Sequence, residues 1–244
     1  PLNYYHVREM FDMLRKIDRD IIFSLSNSAP YGDAPVWQRY ANCWRTTADI
    51  RDTWESISRM GFWQDRWLAF NHPGHWADSD MLVVGMVGWG PKLHPTKLTA
   101  DEQYTHISLW SLLAAPLLIG CDIAQMDDFT MSLLTNDEVN DVNQDPLGIQ
   151  AYPVWQENKQ VIYAKHLEDG SMAIGFFNQD SQPAKMGISL RQLGLRGEQT
   201  IRDLWQQKDL MKTSDHFETE VASHGVVLVK FLPGNSRAQI TEKP

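Results

Sequence analysis

The pattern of predicted elements changes once along the chain, and this change limits the possible folds more than any other feature. Up to about residue 150, strand-like and helix-like segments alternate, whereas beyond Gly148 short strand-like segments follow one another without a long helix. Alternating strands and helices predict parallel βα units, and successive short strands predict an antiparallel β-sandwich. We therefore predict an α/β domain over residues 1–150 and an all-β domain over residues 151–244.

The first part contains four predicted βα units. Thr99 and Glu102 form a capping-box pattern that predicts the start of one helix. Four units are half of the eight that close a (β/α)₈ barrel, and an open half barrel would leave two sheet edges unpaired. The chain begins with Pro1 and has no signal peptide, as expected for a cut made inside a domain. Strands are predicted at residues 20–25, 43–46, 81–84 and 116–120, and helices around 7–17, 34–40, 51–60, 100–115 and 129–142.

The second part has the turn chemistry of an antiparallel fold. Asp169-Gly170 separates two strand-like runs and predicts a hairpin. Strands are predicted at residues 161–164, 172–177, 186–190, 200–205 and 225–231.

Composition excludes several classes of partner. The net charge is −9, and the Lys and Arg residues are scattered. Nucleic acids and anionic membranes both require clustered positive charge, so neither is an expected partner. No apolar run approaches the roughly 20 residues of a membrane span. Cys43 and Cys121 do not make a disulfide framework, and the lack of an Asn-x-Ser/Thr site favours a bacterial source.

Arg45 lies at the end of a predicted strand and Asp49 lies just past it, where catalytic residues of such barrels are found. An Arg there could bind sugar hydroxyls, and an Asp beside the apolar Trp44 could act as a proton donor. The alternative is structural: a salt bridge to Arg45, with Asp49 also capping the helix predicted to begin at Arg51.

Asp78 and Asp80 form a second pair of carboxylates, which we expect to enter a strand. They could orient a polyol, or they could bind a metal together with His72 and His75. The spacing matches no zinc or calcium motif, so the metal hypothesis is the weaker one. Four tryptophans near these segments could stack on sugars, although packing is the better interpretation of each: Trp37, Trp44, Trp76 and Trp89.

Four motifs, in order, carry a resemblance to a known family. They are Trp44-Arg-Thr-Thr-Ala-Asp-Ile50, His75-Trp-Ala-Asp-Ser-Asp-Met-Leu-Val-Val-Gly85, Leu109-Trp-Ser-Leu-Leu-Ala-Ala-Pro-Leu117 and Asn143-Gln-Asp-Pro-Leu-Gly148. Together they resemble the second half of glycoside hydrolase family 27, the α-galactosidase and α-N-acetylgalactosaminidase family. The resemblance implies the fifth to eighth strands of a (β/α)₈ barrel, followed by a β-sandwich.

The resemblance also implies a mechanism and roles for individual residues. Members of the family are retaining enzymes that use two aspartates and no metal or other cofactor. By the match, Asp49 is the general acid/base, Arg45 contacts the sugar, and Asp80 and Met81 line the sugar pocket, with Asp78 in support. The family's nucleophile lies in a Lys-Tyr/Phe-Asp motif that this chain lacks. We therefore expect the nucleophile on a missing first half of the barrel, and the isolated chain to be inactive.

Specificity depends on the loop after the fifth barrel strand. Ser26 and Ala29 fall where galactosidases carry bulkier residues and N-acetylgalactosaminidases carry Ser and Ala. Terminal α-linked galactose remains the leading expectation, with N-acetylgalactosamine or a catalytically silent carbohydrate-binding fragment as alternatives. Ala77 replaces a usual Asn. The compartment stays open, although a secreted or periplasmic location would suit glycan degradation.

Overall fold

The computed structural model describes residues 3–26, 28–88 and 92–234. Its first part contains a parallel sheet of β1 (Ser24–Leu25), β2 (Cys43–Arg45) and β3 (Trp76–Asp78), with β2 in the middle. A single parallel bridge between Leu82 and Ile119 lies where a fourth strand is predicted. The helices are α1 (Tyr4–Leu14), α2 (Ala34–Tyr40), α3 (Trp54–Gly61), α4 (Ala100–Leu112), α5 (Asp128–Leu134) and α6 (Asp137–Asn143), and a small hairpin joins β4 (Met86–Val87) to β5 (His94–Pro95).

The predicted third strand, residues 81–84, is wrong in position. The strand is β3, which ends at Asp78 and so precedes Asp80. Asp80 has φ +84, and this left-handed residue breaks the extended backbone before Leu82. Leu82 regains only one bridge, in which its amide donates to Leu118 O at 2.7 Å. The predicted strand at 116–120 is reduced to the same bridge.

Capping residues explain where the helices differ from prediction. α3 begins at Trp54 because the Thr53 side chain accepts a hydrogen bond from the Ser56 amide. The single helix predicted at 129–142 is two helices, because Asn136 caps the second one. α2 has the predicted bounds, and α1 ends at Leu14.

α4 is the central helix of the molecule. It has the predicted capping box, with Thr99 and Glu102 each accepting a hydrogen bond from the other's amide. Ten of its residues are buried, among them Ile107, Leu109 and Trp110. A helix buried on nearly all sides needs partners all round, and both parts of the chain supply them.

The second part is the predicted antiparallel sandwich. The Asp169-Gly170 hairpin is present, with Gly170 at φ +80. Three strands were missed, at residues 152–157, 208–213 and 216–221. The strands are β6 (Tyr152–Glu157), β7 (Gln160–His166), β8 (Met172–Asn178), β9 (Ala184–Ser189), β10 (Gln199–Asp203), β11 (Lys208–Thr213), β12 (His216–Val221) and β13 (Val226–Pro233), arranged as a six-stranded sheet, β11-β10-β13-β8-β7-β6, and a two-stranded sheet, β12-β9.

Both faces of the six-stranded sheet are covered. Side chains alternate along β7, so that Val161 and Tyr163 belong to the core around α4. Ile162 and Ala164 face the other way, into the core shared with the two-stranded sheet. No helix within the described residues is long and apolar enough to cross a membrane.

Candidate active site

The candidate site lies where the three parallel strands end. The register pairs Arg45 with Asp78, and the residue before each, Trp44 and Ala77, faces the opposite way into a core behind the sheet. Because side chains alternate along a strand, Arg45 and Asp78 share the other face. The Ala29 amide donates to Arg45 O at 2.6 Å, and this bond ties the loop after β1 to the same edge.

Arg45 joins two of the predicted carboxylates. Its Nη2 lies 2.9 Å from Asp49 Oδ1 and 3.0 Å from Asp80 Oδ2. The Arg45 and Asp80 side chains are 11% and 3% exposed, whereas that of Asp49 is 83% exposed. The buried ion pair therefore holds one oxygen of an otherwise accessible carboxyl group.

Asp80 is fixed by hydrogen bonds through all of its polar atoms. Its Oδ2 accepts from the Ile50 amide at 2.7 Å, and its Oδ1 accepts from the Met81 amide at 2.8 Å. Its own amide donates to Asp78 Oδ1 at 2.8 Å, and Trp110 Nε1 donates to its carbonyl at 2.7 Å. A non-glycine residue at φ +84 persists only where its surroundings enforce that conformation, and these bonds do so.

The Asp78 carboxyl supports the turn at Asp80. Burial raises the pKa of the Asp78 carboxyl, and the Asp80 amide and Arg45 oppose the rise. Its bond to the Asp80 amide makes it a positioning group for the turn.

Asp49 borders a cavity of about 660 Å³. Met81 lines the same cavity, so the structure brings Met81 to Asp49 even though its carboxylate neighbour Asp80 points to Arg45. An exposed carboxyl at the rim of a cleft has the geometry required to exchange a proton with a bound ligand. The other walls are Ile50, Arg51, Asp52, Thr53, Val83, Val87, Gly88, Lys92, His94, Lys97 and Gly120.

The structural alternative for Asp49 is half right. The salt bridge with Arg45 is present, but the α3 cap is Thr53 and not Asp49. Four residues separate Asp49 from the first residue of α3, too many for it to occupy the cap. Helix capping therefore does not account for an acid at this position.

Ser26 and Ala29 differ in their exposure to solvent. Ser26 is exposed just after β1, whereas Ala29 is 5% exposed within the apolar cluster that contains Trp44. Only the backbone of Ala29 is tied to Arg45, so the structure does not bring either side chain to Asp49.

The metal hypothesis does not fit the geometry. His72 and His75 pair with each other ahead of β3, and His75 Nδ1 lies 2.9 Å from Ala41 O. Asp78 and Asp80 lie at the opposite end of that strand. Among the described residues, no group of three His, Cys, Asp or Glu side chains is placed to hold a metal.

Sequence reasoning missed the support that α4 gives to the site. His106 Nε2 accepts from the Val83 amide at 3.1 Å, and the ring meets Trp110 edge to face at 4.3 Å. Complete burial lowers the pKa of His106 to about 3, so the imidazole is neutral at physiological pH. The four-residue spacing of His106 and Trp110 places them on one face of the helix, but no local signal in the sequence connects that face with the turn at Asp80. Of the tryptophans suggested for sugar stacking, Trp37 and Trp44 are fully buried, Trp76 is half-buried and Trp89 lies outside the described residues.

Comparison with known proteins shows the family. A family model described as Alpha galactosidase A matches residues 5–145, and one described as Alpha galactosidase C-terminal beta sandwich domain matches residues 157–231. Alpha-galactosidase 3 of Arabidopsis thaliana is 36% identical over 231 residues, covering 92% of this chain and 51% of the relative. Alpha-N-acetylgalactosaminidase of Gallus gallus is 30% identical over 241 residues, covering 92% of this chain and 57% of the relative.

Solved structures agree. The GH27 β-L-arabinopyranosidase of Geobacillus stearothermophilus superposes with a TM-score of 0.91 and 31% identity, covering 97% of this chain and 55% of that chain. The chain spans about half the length of the curated relatives that it matches. The predicted fold, the second half of a (β/α)₈ barrel followed by a β-sandwich, is confirmed. The chain belongs to glycoside hydrolase family 27, the α-galactosidase family.

Proposed function

We propose that this chain supplies the acid/base half of a retaining glycosidase that removes terminal α-linked galactose. The observation that carries the proposal is the exposed Asp49 carboxyl, held by the buried Arg45 guanidinium at the rim of a cleft. Family membership and relatives named α-galactosidases support the class of reaction.

The proposed mechanism is double displacement. A carboxylate attacks the anomeric carbon and breaks the glycosidic bond, while Asp49 transfers its proton to the departing oxygen. In the second step Asp49, now ionised, takes a proton from water as the water displaces the carboxylate and releases the sugar. Arg45 orients Asp49 through the 2.9 Å contact, and Asp80 fixes Arg45.

The attacking carboxylate is proposed to lie on the first half of the barrel. The open face of the parallel sheet leaves apolar side chains in solvent, since Ile22 is 77% exposed, Leu118 is 49% exposed, and both line one cavity there. Burial of such side chains would favour closure of the barrel by four further βα units. Retaining enzymes hold their two carboxyl groups about 5–5.5 Å apart, which sets where the partner must lie.

A second substrate, α-linked N-acetylgalactosamine, is favoured by one observation. The loop after β1 carries the small residues Ser26 and Ala29, and the Ala29 backbone is bonded to Arg45. The Ala29 side chain is buried with Trp44, so the room for an acetamido group would come from the small, exposed Ser26. Parallel assays on galactosides and N-acetylgalactosaminides decide between the two sugars.

The test joins this chain to the first four βα units of the Arabidopsis relative. We expect no turnover by the chain alone, and release of α-galactose from raffinose by the joined protein, observed by proton NMR before mutarotation. Asp49→Asn should slow raffinose hydrolysis on the order of 10²–10⁴-fold, because the leaving oxygen loses its proton donor. Circular dichroism should be unchanged.

Asp52→Asn is the matched control, because Asp52 lines the same cavity but pairs with Lys97 and His94. We expect it to retain most of the activity. A near-normal rate for Asp49→Asn would remove Asp49 from the acid role. Turnover by the chain alone would place the nucleophile within it.

A further inference from the structure

Trp63 is unusual among the tryptophans. Of the nine tryptophans that the structure describes, Trp63 alone is exposed, with 69% of its surface accessible to solvent. Its indole makes no hydrogen bond or ring contact with another described residue. Tryptophan is enriched at interaction sites, because the indole combines a large apolar area with a polar N–H group.

The backbone around Trp63 is rigid. Trp63 follows α3 and precedes a short 3₁₀ helix, Gln64–Trp67. The Gln64 side chain donates to Met60 O at 2.7 Å and accepts from Thr46 Oγ1 at 2.9 Å. Trp67 is buried. The exposed indole therefore lies beside the loop that carries Asp49.

The indole borders a cavity of about 340 Å³, within the size range of small-molecule sites. Two walls are Arg59 and Arg66, and neither guanidinium has an ion pair among the described residues. Arg66 lies over the Tyr31 ring at 4.7 Å. Thr47 also lines the cavity, and its Oγ1 has no hydrogen-bond partner. The lining residues contain no carboxylate: Thr46, Thr47, Ala48, Arg59, Met60, Trp63, Gln64, Arg66 and Trp67.

A cavity lined by two arginines and no carboxylate is unexpected in a chain whose net charge is −9. Two guanidiniums without an ion pair beside one cavity attract an anion, and their planar forks match a carboxylate. An indole face beside them adds an apolar surface that suits the C–H face of a sugar ring. The combination fits a saccharide unit that carries a carboxylate.

The cavity shares no lining residue with the cavity on the open face of the sheet. It adjoins the end of β2, the middle strand, through Thr46 and Thr47. The apolar side chains left by the open barrel lie instead beyond β1 and around Leu118. Trp63 is therefore not one of the side chains that line the open face of the sheet.

We propose that Trp63, Arg59 and Arg66 form a subsite for an acidic pyranose, such as a uronate, on the leaving-group side of Asp49. The position of this subsite on the leaving-group side rests on the proposed function, and the subsite adds a substrate class to that function. It assigns as substrates α-galactosides whose remaining glycan carries a uronic acid. Binding at the subsite itself requires no turnover.

The test uses the full chain with ¹⁵N-labelled indoles, titrated with methyl α-glucuronide or methyl α-glucoside, which differ only in the carboxylate. The Trp63 resonance is assigned by its loss in Trp63→Phe. We expect the glucuronide to shift it saturably, with an affinity on the order of tenfold higher than that of the glucoside and reduced by added salt. Trp63→Ala, Arg59→Gln and Arg66→Gln should each weaken binding by a similar factor.

Two variants serve as controls. Tyr5→Ala removes another exposed aromatic ring, 70% exposed on α1, and Arg191→Gln removes an exposed arginine of the sandwich; neither should alter binding. Equal affinity for both glycosides, or no shift of the Trp63 resonance, would overturn the proposal. So would a shift that follows protein concentration instead of ligand, since the indole would then cover a protein contact. If Asp49→Asn did not slow raffinose hydrolysis, glucuronide binding at Trp63 would still be observed. The two proposals can therefore fail independently.

Discussion

At the scale of single residues, Asp80 organises the candidate site. Its left-handed backbone allows one side chain to reach both the Ile50 amide and Arg45, while its carbonyl accepts from Trp110. Arg45 is buried and has an Nε without a hydrogen-bond partner, so it depends on its carboxylates for compensation. Asp49 is exposed and can supply only part of it.

Asp80→Asn should therefore destabilise the chain. Removing one partner of a buried pair leaves the other charge uncompensated, at a cost of about 3 kcal/mol. Urea unfolding followed by fluorescence measures the loss. Asp12→Asn is the control, because Asp12 pairs with Arg8 on the surface and should change nothing measurable. Equal stability of the two variants would show that Asp80 does not compensate Arg45.

At the scale of elements, prediction succeeded where a local signal marks the boundary. The Thr99–Glu102 capping box and the Asp169-Gly170 turn were both found, because their hydrogen bonds lie within a few residues. The strand β3 was misplaced. Residues 81–84 are more apolar than Trp76–Asp78, yet pairing with β2 and the turn at Asp80, which are not local properties, decide where the strand lies.

At the candidate site, too, local features were predicted and long-range contacts were not. The sequence placed Arg45 and Asp49 at the end of one strand and Asp80 at the start of another, and the structure brings all three together at the ends of β2 and β3. The support from Trp110 could not be read from spacing, because it joins residues 30 positions apart through a buried indole.

Lys165 joins the two parts of the chain at the ends of helices. It lies on β7, is fully buried, and donates to Val142 O at 2.5 Å and Ser111 O at 3.4 Å. These carbonyls belong to the last turns of α6 and α4, where helix dipoles favour a cation. Burial nevertheless lowers the pKa of Lys165 from 10.5 to about 8, with Asp145 opposing the shift.

The unfolding free energy should consequently rise with pH. Between the folded pKa of about 8 and the ordinary 10.5, the unfolded chain binds more protons than the folded chain, so raising the pH favours folding. From pH 7 to 10 the gain is about 2 kcal/mol relative to Lys165→Met, which lacks the titrating group. Urea unfolding of both proteins across this range measures it. Parallel pH profiles of the two proteins would contradict the account.

At the scale of the whole molecule, the two parts share one core around α4. A further cavity, of about 480 Å³, lies on the open face of the parallel sheet, where Ser24, Cys43 and Asp78 point away from the core behind it. Burial raises the pKa of the Cys43 thiol to about 11, and Asp78 adds to the rise. This face is the one that the proposed first half of the barrel would cover, bringing its carboxylate towards Asp49.

The most direct test of this account is the leaving-group dependence of the Asp49→Asn variant in the joined protein. Raffinose needs a proton on its departing oxygen, whereas dinitrophenolate leaves unaided. We expect the variant to lose at least about tenfold less activity on dinitrophenyl α-galactoside than on raffinose. Equal losses on the two substrates would contradict the claim that Asp49 donates the proton.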